Sequence, residues 1–103
     1  PQTLLVQLHW QAIAAPAEDY TAFAQLLSSS GELLSQHDGY PLDGRYPTTL
    51  WSPGEQVFDT VTLSLHGPPL SGDSVIVGLY RQPGATRLLT PSGDSFVRLP
   101  VSS

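Results

Sequence analysis

Residues 3–11 read Thr-Leu-Leu-Val-Gln-Leu-His-Trp-Gln. Leu4, Val6, Leu8 and Trp10 fall on one side of this stretch, and Leu5, Gln7, His9 and Gln11 on the other. Successive side chains of an extended chain point to opposite faces, so a period of two predicts a half-buried strand. Residues 56–65 repeat the pattern: Val57, Asp59, Val61, Leu63 and Leu65 oppose Phe58, Thr60, Thr62 and Ser64.

Working outward from these two runs, residues 74–81 (Ser-Val-Ile-Val-Gly-Leu-Tyr-Arg) are rich in the β-branched residues that suit a pleated surface. Residues 20–27 contain Ala and Leu that would fit a helix, but Tyr20, Thr21, Phe23 and the short length favour a strand. Leu33 to Asp38 reads as its hairpin return across Ser28-Ser-Ser-Gly31. Pro16 stops any helix between residues 12 and 19. Turns are expected at His66–Asp73, at Gln82–Ala85 and at Pro91–Asp94, with short last strands at 86–89 and 95–101. Ser-Gly-Asp-Ser at 71–74 and again at 92–95 marks similar turn chemistry used twice. About seven short strands and no convincing helix predict an all-β fold, an antiparallel β-sandwich of immunoglobulin-like or jelly-roll-like type.

The 103 residues fit one β-sandwich domain spanning 1–103. Pro1 opens a chain with no Met, which reads as a domain excised from a longer protein or as a processed one. No secretory leader and no membrane-spanning stretch is recognisable in this fragment. Four Arg, no Lys and a net charge of −5 argue against nucleic acid, which requires clustered cations. With no Cys, thiol chemistry is excluded.

Residues 39–55, Gly-Tyr-Pro-Leu-Asp-Gly-Arg-Tyr-Pro-Thr-Thr-Leu-Trp-Ser-Pro-Gly-Glu, are irregular yet too apolar for a disordered linker. Pro53-Gly54 predicts a type II turn, with Gly accepting the positive φ. Tyr40, Asp43, Arg45, Tyr46 and Trp51 form the candidate ligand-binding group. Aromatic faces can stack on a pyranose while Arg and Asp hold its hydroxyls. The plainer reading folds Trp51 and one Tyr inward to plug the end of the sandwich, with Asp43 and Arg45 paired over them.

The other chemistry candidates have plainer readings. Ser74 and Ser95 follow Asp in turn motifs, and no Gly-x-Ser-x-Gly elbow surrounds either. His9, His37 and His66 lack metal-ligand spacing. A calcium site from Asp38, Asp43 and Asp59 would need a denser oxygen-rich loop. Glu18-Asp19 reads as a solvated turn. No catalytic residue, metal or cofactor is expected.

The chain resembles the C-terminal extracytoplasmic β-sandwich of bacterial multi-spanning glycosyltransferases of the dolichyl-phosphate-mannose mannosyltransferase type, and of related uncharacterised membrane proteins. The resemblance rests on residues 4–10, 19–27, 36–38, 44–51 with 53–55, 77–80 and 87–88, and Gly44-Arg-Tyr-Pro-Thr48 followed by Trp51-Ser-Pro-Gly-Glu55 is its sharpest element. It implies a non-catalytic accessory domain on the extracytoplasmic face of the bacterial membrane, partnered by its parent membrane protein or by envelope glycan. Transferase chemistry belongs to the membrane-embedded part, so no catalytic residue carries over. The alternatives are a structural protein–protein interaction module and, remotely, a small hydrolase. An exposed aromatic face at Trp51 would favour glycan, and a buried Trp51 with an apolar exposed sheet would favour protein contact.

Overall fold

A computed structural model describes residues 2–68, 70, 72–81 and 86–101. The turn expected at Gln82–Ala85 lies outside the described residues, as do Pro69 and Ser71 of the turn before it. Seven strands follow in order: β1 (Gln2–Gln11), β2 (Thr21–Leu27), β3 (Leu33–Gly39), β4 (Gln56–Leu65), β5 (Ser74–Arg81), β6 (Thr86–Arg87) and β7 (Val97–Pro100). They form an all-β sandwich. One sheet is the antiparallel pair β1–β4, and the other runs β3-β2-β5 with β6 and β7 both on the far edge of β5.

β1 and β4 pair without a bulge from Gln2 opposite Leu65 to Gln11 opposite Gln56. This register puts Val6 beside Val61 and Leu4 beside Leu63, so the alternating apolar sets of both strands share one face. That face packs on Ala24, Leu26, Val75 and Val77 of the larger sheet, with Leu63 fully buried at the centre. The opposite face carries Leu5, Gln7, His9, Phe58 and Thr60 to solvent. There His9 and Phe58 stack at 4.4 Å.

Two turns follow the sequence reading. Gly54 has φ +81 and Glu55 N donates to Ser52 O at 3.0 Å, closing the turn at Pro53-Gly54. Gly72 and Gly93, the glycines of the duplicated tetrapeptide, both turn at φ near +90 (92 and 91). Their closures differ: Asp73 N reaches Leu70 O in the first, and Gly93 N reaches Thr90 O in the second.

The last strands are shorter than expected. β6 ends at Arg87, with one further backbone bond from Leu88 N to Leu79 O at 2.8 Å, and β7 begins only at Val97. Between them the chain is held in its own turn by Thr90 N to Asp94 O at 2.8 Å, and at Ser95 it crosses the outer face of the larger sheet. Phe23 and Ile76 point outward from that sheet and are nonetheless buried. Gly78 lies directly opposite Phe23 in the ladder, and the Phe23 ring fills the space a side chain would occupy. The Arg87 guanidinium covers that ring at 4.6 Å from its centroid.

A Cβ on Gly78 would stand 2.6 Å from the Phe23 ring and 2.9 Å from the Ser95 carbonyl. Gly78→Ala is therefore expected to destabilise by about 1–3 kcal/mol, the usual cost of overpacking. Urea unfolding followed by Trp fluorescence measures this, and an unchanged midpoint would show that Phe23 is free to move aside.

Candidate functional site

The segment between β3 and β4 is a cap stapled over one end of the sandwich. Two short 3-10 turns, Pro41–Gly44 and Thr48–Leu50, shape it. Leu42 and Asp43 both sit at φ 55, a left-handed conformation that costs a non-glycine residue about 1–2 kcal/mol. Asp59, on the inner face of β4, holds the first of them by accepting from Leu42 N at 3.0 Å. The Leu42 side chain also packs on the cluster formed by Ala12, Trp51 and Val57.

Trp51 is 4% exposed. Its Nε1 donates to Tyr46 O at 3.0 Å, and the Tyr46 ring lies 6.5 Å away. Tyr46 OH donates to Glu55 Oε2 at 2.5 Å, and Glu55 Oε1 accepts from Ser52 N at 2.8 Å. Ala12 N to Glu55 O (2.9 Å) and Gly54 N to Ala12 O (2.6 Å) then fasten the loop to the end of β1. The five candidate residues consequently divide. Tyr46 and Trp51 are drawn inward, whereas Tyr40 is 52% exposed and lies with Asp43 beside His37 and Asp59 on the rim of a shallow recess.

The expected Asp43–Arg45 pair does not form. Arg45 turns back, and its backbone N and Nε both donate to Leu42 O (3.0 and 2.9 Å), because the left-handed pair points that carbonyl at them. The ion pair found among the described residues is Arg81–Glu18 at 2.9 Å. Glu18-Asp19 is more than a solvated turn: Asp19 Oδ1 accepts from Thr49 Oγ1 at 2.6 Å, so both carboxylates fasten neighbouring segments.

Thr48 closes the Gly44-Arg-Tyr-Pro-Thr48 element, and nothing in that motif assigns its hydroxyl a role. It is fully buried, donating from Oγ1 to Glu18 O at 2.7 Å and accepting from Tyr20 N at 2.9 Å. Only the packed loop shows that this hydroxyl joins the start of β2 to the cap. Ile13 and Leu88, also unmarked by any periodicity, are exposed beside Trp10, Tyr20, Trp51 and Leu79 around an apolar cleft of about 270 Å³. Trp10 Nε1, at its edge, is buried without a hydrogen-bond partner among the described residues.

No nucleophile is assembled among the described residues. Ser74 Oγ accepts from Arg98 Nη1 at 2.7 Å, and His9 Nε2 donates to Gln56 Oε1 at 2.9 Å. Asp38 accepts from Tyr80 OH at 2.8 Å, and Asp59 is engaged at Leu42 and Thr60, so the two carboxylates serve structural bonds. Among the described residues no three His, Asp or Glu side chains gather as a metal ion requires, and no helix is long and apolar enough to cross a membrane. No protein-family model, curated protein sequence or solved structure matches the chain.

Two measurements probe the cap. Thr48→Val leaves Tyr20 N and Glu18 O without their partner and is expected to cost about 1–3 kcal/mol, while Thr48→Ser retains most of the stability. Thermal unfolding of the two variants separates the lost hydrogen bonds from the lost methyl.

The second concerns pH. The Tyr46 hydroxyl and the Ser52 amide lower the Glu55 pKa, while the same hydrogen bond to Glu55, desolvation and the nearby negative charge raise that of Tyr46. A carboxylate depressed in the folded state stabilises above its unfolded value of about 4.3 and loses that contribution as pH falls through the folded value. The raised phenol behaves in the opposite sense: its share is complete below the unfolded value of about 10 and disappears as pH rises through the folded one. Glu55→Gln is expected to flatten the acid limb of a stability–pH curve, and an acid limb identical to wild type would refute the link.

Proposed function

We propose that this chain is a non-catalytic accessory domain of a bacterial envelope protein, acting as a protein–protein interaction module on the extracytoplasmic face of the membrane. The observation that carries this reading is the closure of Trp51 into the core while apolar side chains stand exposed elsewhere. A pyranose needs an open aromatic face with polar groups converging on it. Here the largest aromatic of the loop is covered, Arg45 is bonded to the loop's own backbone, and the neighbouring cleft is walled mainly by apolar groups. Apolar clefts of this kind suit a side chain from another protein.

Leu5 and Phe58, 63% and 64% exposed, add two separate apolar positions on the outer face of the smaller sheet, with Gln7 and Thr60 between them. The envelope setting and the parent membrane protein as partner are supported by the sequence resemblance, with its segments spread along most of the chain. The bond that ties Ser74 Oγ to Arg98 Nη1 favours a binding role over hydrolysis at that serine.

Calorimetric titration with a panel of envelope oligosaccharides is expected to give no binding up to millimolar concentration. A photocrosslinker at Ile13 in the parent protein, in its own membrane, is expected to capture a protein neighbour, and Leu88→Glu to abolish that capture. Saccharide binding lost in Tyr40→Ala or Arg45→Ala would overturn the reading in favour of glycan recognition.

A further inference from the structure

The two sheets differ in width, and the difference is concentrated on one side. β4 lies close to β3, so that side of the sandwich is closed. On the other side the larger sheet projects beyond β1. Val97 is opposite Val77, and Leu99 opposite Val75, so both β7 side chains project on the core side of the sheet. Val97 is nevertheless 46% exposed. A groove of about 220 Å³ follows this ledge, bounded by Leu4–Gln7 of β1 and by Val75, Leu99 and Val101.

The free edge of β1 faces the groove. β1 pairs with β4 along its whole length and with no other described strand, so its outer row of backbone N–H and C=O groups is available. Edge strands are ordinarily protected by charge, Pro, a bulge or short length. Residues 2–11 contain no charged residue and no Pro, run for ten residues and have an unbroken register.

We infer that this edge accepts one added β-strand: an extended peptide segment of a partner, with apolar residues at alternate positions and basic residues at its flanks. Adding a strand to a sheet edge satisfies the exposed backbone groups and seats alternate side chains in the adjoining groove. Those side chains would rest on Leu99 and Val101, which line the groove, supplying the cover that the smaller sheet lacks. Leu4, Val6, Val75, Leu99 and Val101 line the groove beside Gln7 and the backbone edge of β1, so an occupant sets apolar side chains on the former and backbone groups against the latter. The surrounding chain has no Lys and a net charge of −5, which favours Lys or Arg on either side of the apolar run.

The same ledge argues against a second copy as occupant. An antiparallel β1–β1 pair would require a two-fold axis normal to the smaller sheet. That operation would drive the projecting β7 edges of the two larger sheets into the same space. A single strand fits where a whole second sandwich does not. This inference rests on the reading of the chain as an interaction module and names one surface and one kind of partner for it.

The test uses ¹⁵N-labelled protein and a synthetic peptide, Lys-Val-Ser-Val-Ser-Val-Lys, with a scrambled control and a version N-methylated at alternate residues. Binding is expected to shift the amide resonances of Leu4–Gln7 and of β7, and to slow hydrogen exchange at alternate β1 amides. N-methylation on the pairing edge should abolish binding, and Val101→Lys, which sets a charge into the groove, should weaken it at least tenfold. Absence of shifts at millimolar peptide overturns the inference, as does binding that survives both N-methylation and Val101→Lys. If the peptide fails while crosslinking from Ile13 persists, strand addition is refuted and the interaction module stands; if both fail, the broader reading falls with it.

Discussion

β1 and β4 have one apolar face each, and nothing in their own ribbon can cover it. A two-stranded ribbon is marginal in water, so Leu4, Val6, Leu8, Val61 and Leu63 gain stability only by packing against Ala24, Leu26, Val75 and Val77 of the other sheet. Every other feature is arranged around that contact. The unbroken ten-residue register keeps both alternations in phase, since a slip of one residue would turn Leu63 outward and Thr62 inward. The cap closes one end of the layer, and the ledge beside β7 is what remains where the smaller sheet runs out.

β5 is the strand on which the rest converges. It pairs with β2 on one side and with β6 and β7 on the other, and it is buried on both faces except at its end. Its sequence contains no clean alternation, which is what a strand covered on both sides should display. The cover on its outer face is a stretch of chain passing at Ser95, with Phe23 lying flat over Gly78 beneath Arg87. A glycine inside a strand forgoes packing of its own, and here the neighbouring ring makes good the loss.

The cap converts polar loop residues into fasteners. Thr48, Asp19 and Asp59 each bond a group from a different segment and Glu55 bonds two within the loop, so the cap is tied by side chains where no sheet partner is available. The left-handed pair at Leu42 and Asp43 is held by the same bonds. That arrangement lets a proline-rich stretch hold a defined shape with little regular structure, and it draws Tyr46 and Trp51 into packing while Tyr40 stays exposed.

The alternations in residues 3–11 and 56–65, the β-branched run at 74–81 and the Pro-Gly and Ser-Ser-Gly turns were enough to determine the all-β sandwich, because period, propensity and turn chemistry are local properties. The candidate group at 40–51 was legible as composition only. Whether Trp51 faces water depends on bonds to Tyr46 and on packing against Ala12 and Val57, which lie far apart in the chain from one another. Thr48 stood in the Gly-Arg-Tyr-Pro-Thr element, but its role as a buried fastener had no local signal, since its partners lie 28 and 30 residues away. The unequal width of the sheets, the free edge of β1 and the exposed Val97 were likewise decided by the tertiary structure. Alternation specifies which side of a strand is apolar, but not which strands lie side by side or how far one sheet reaches past the other.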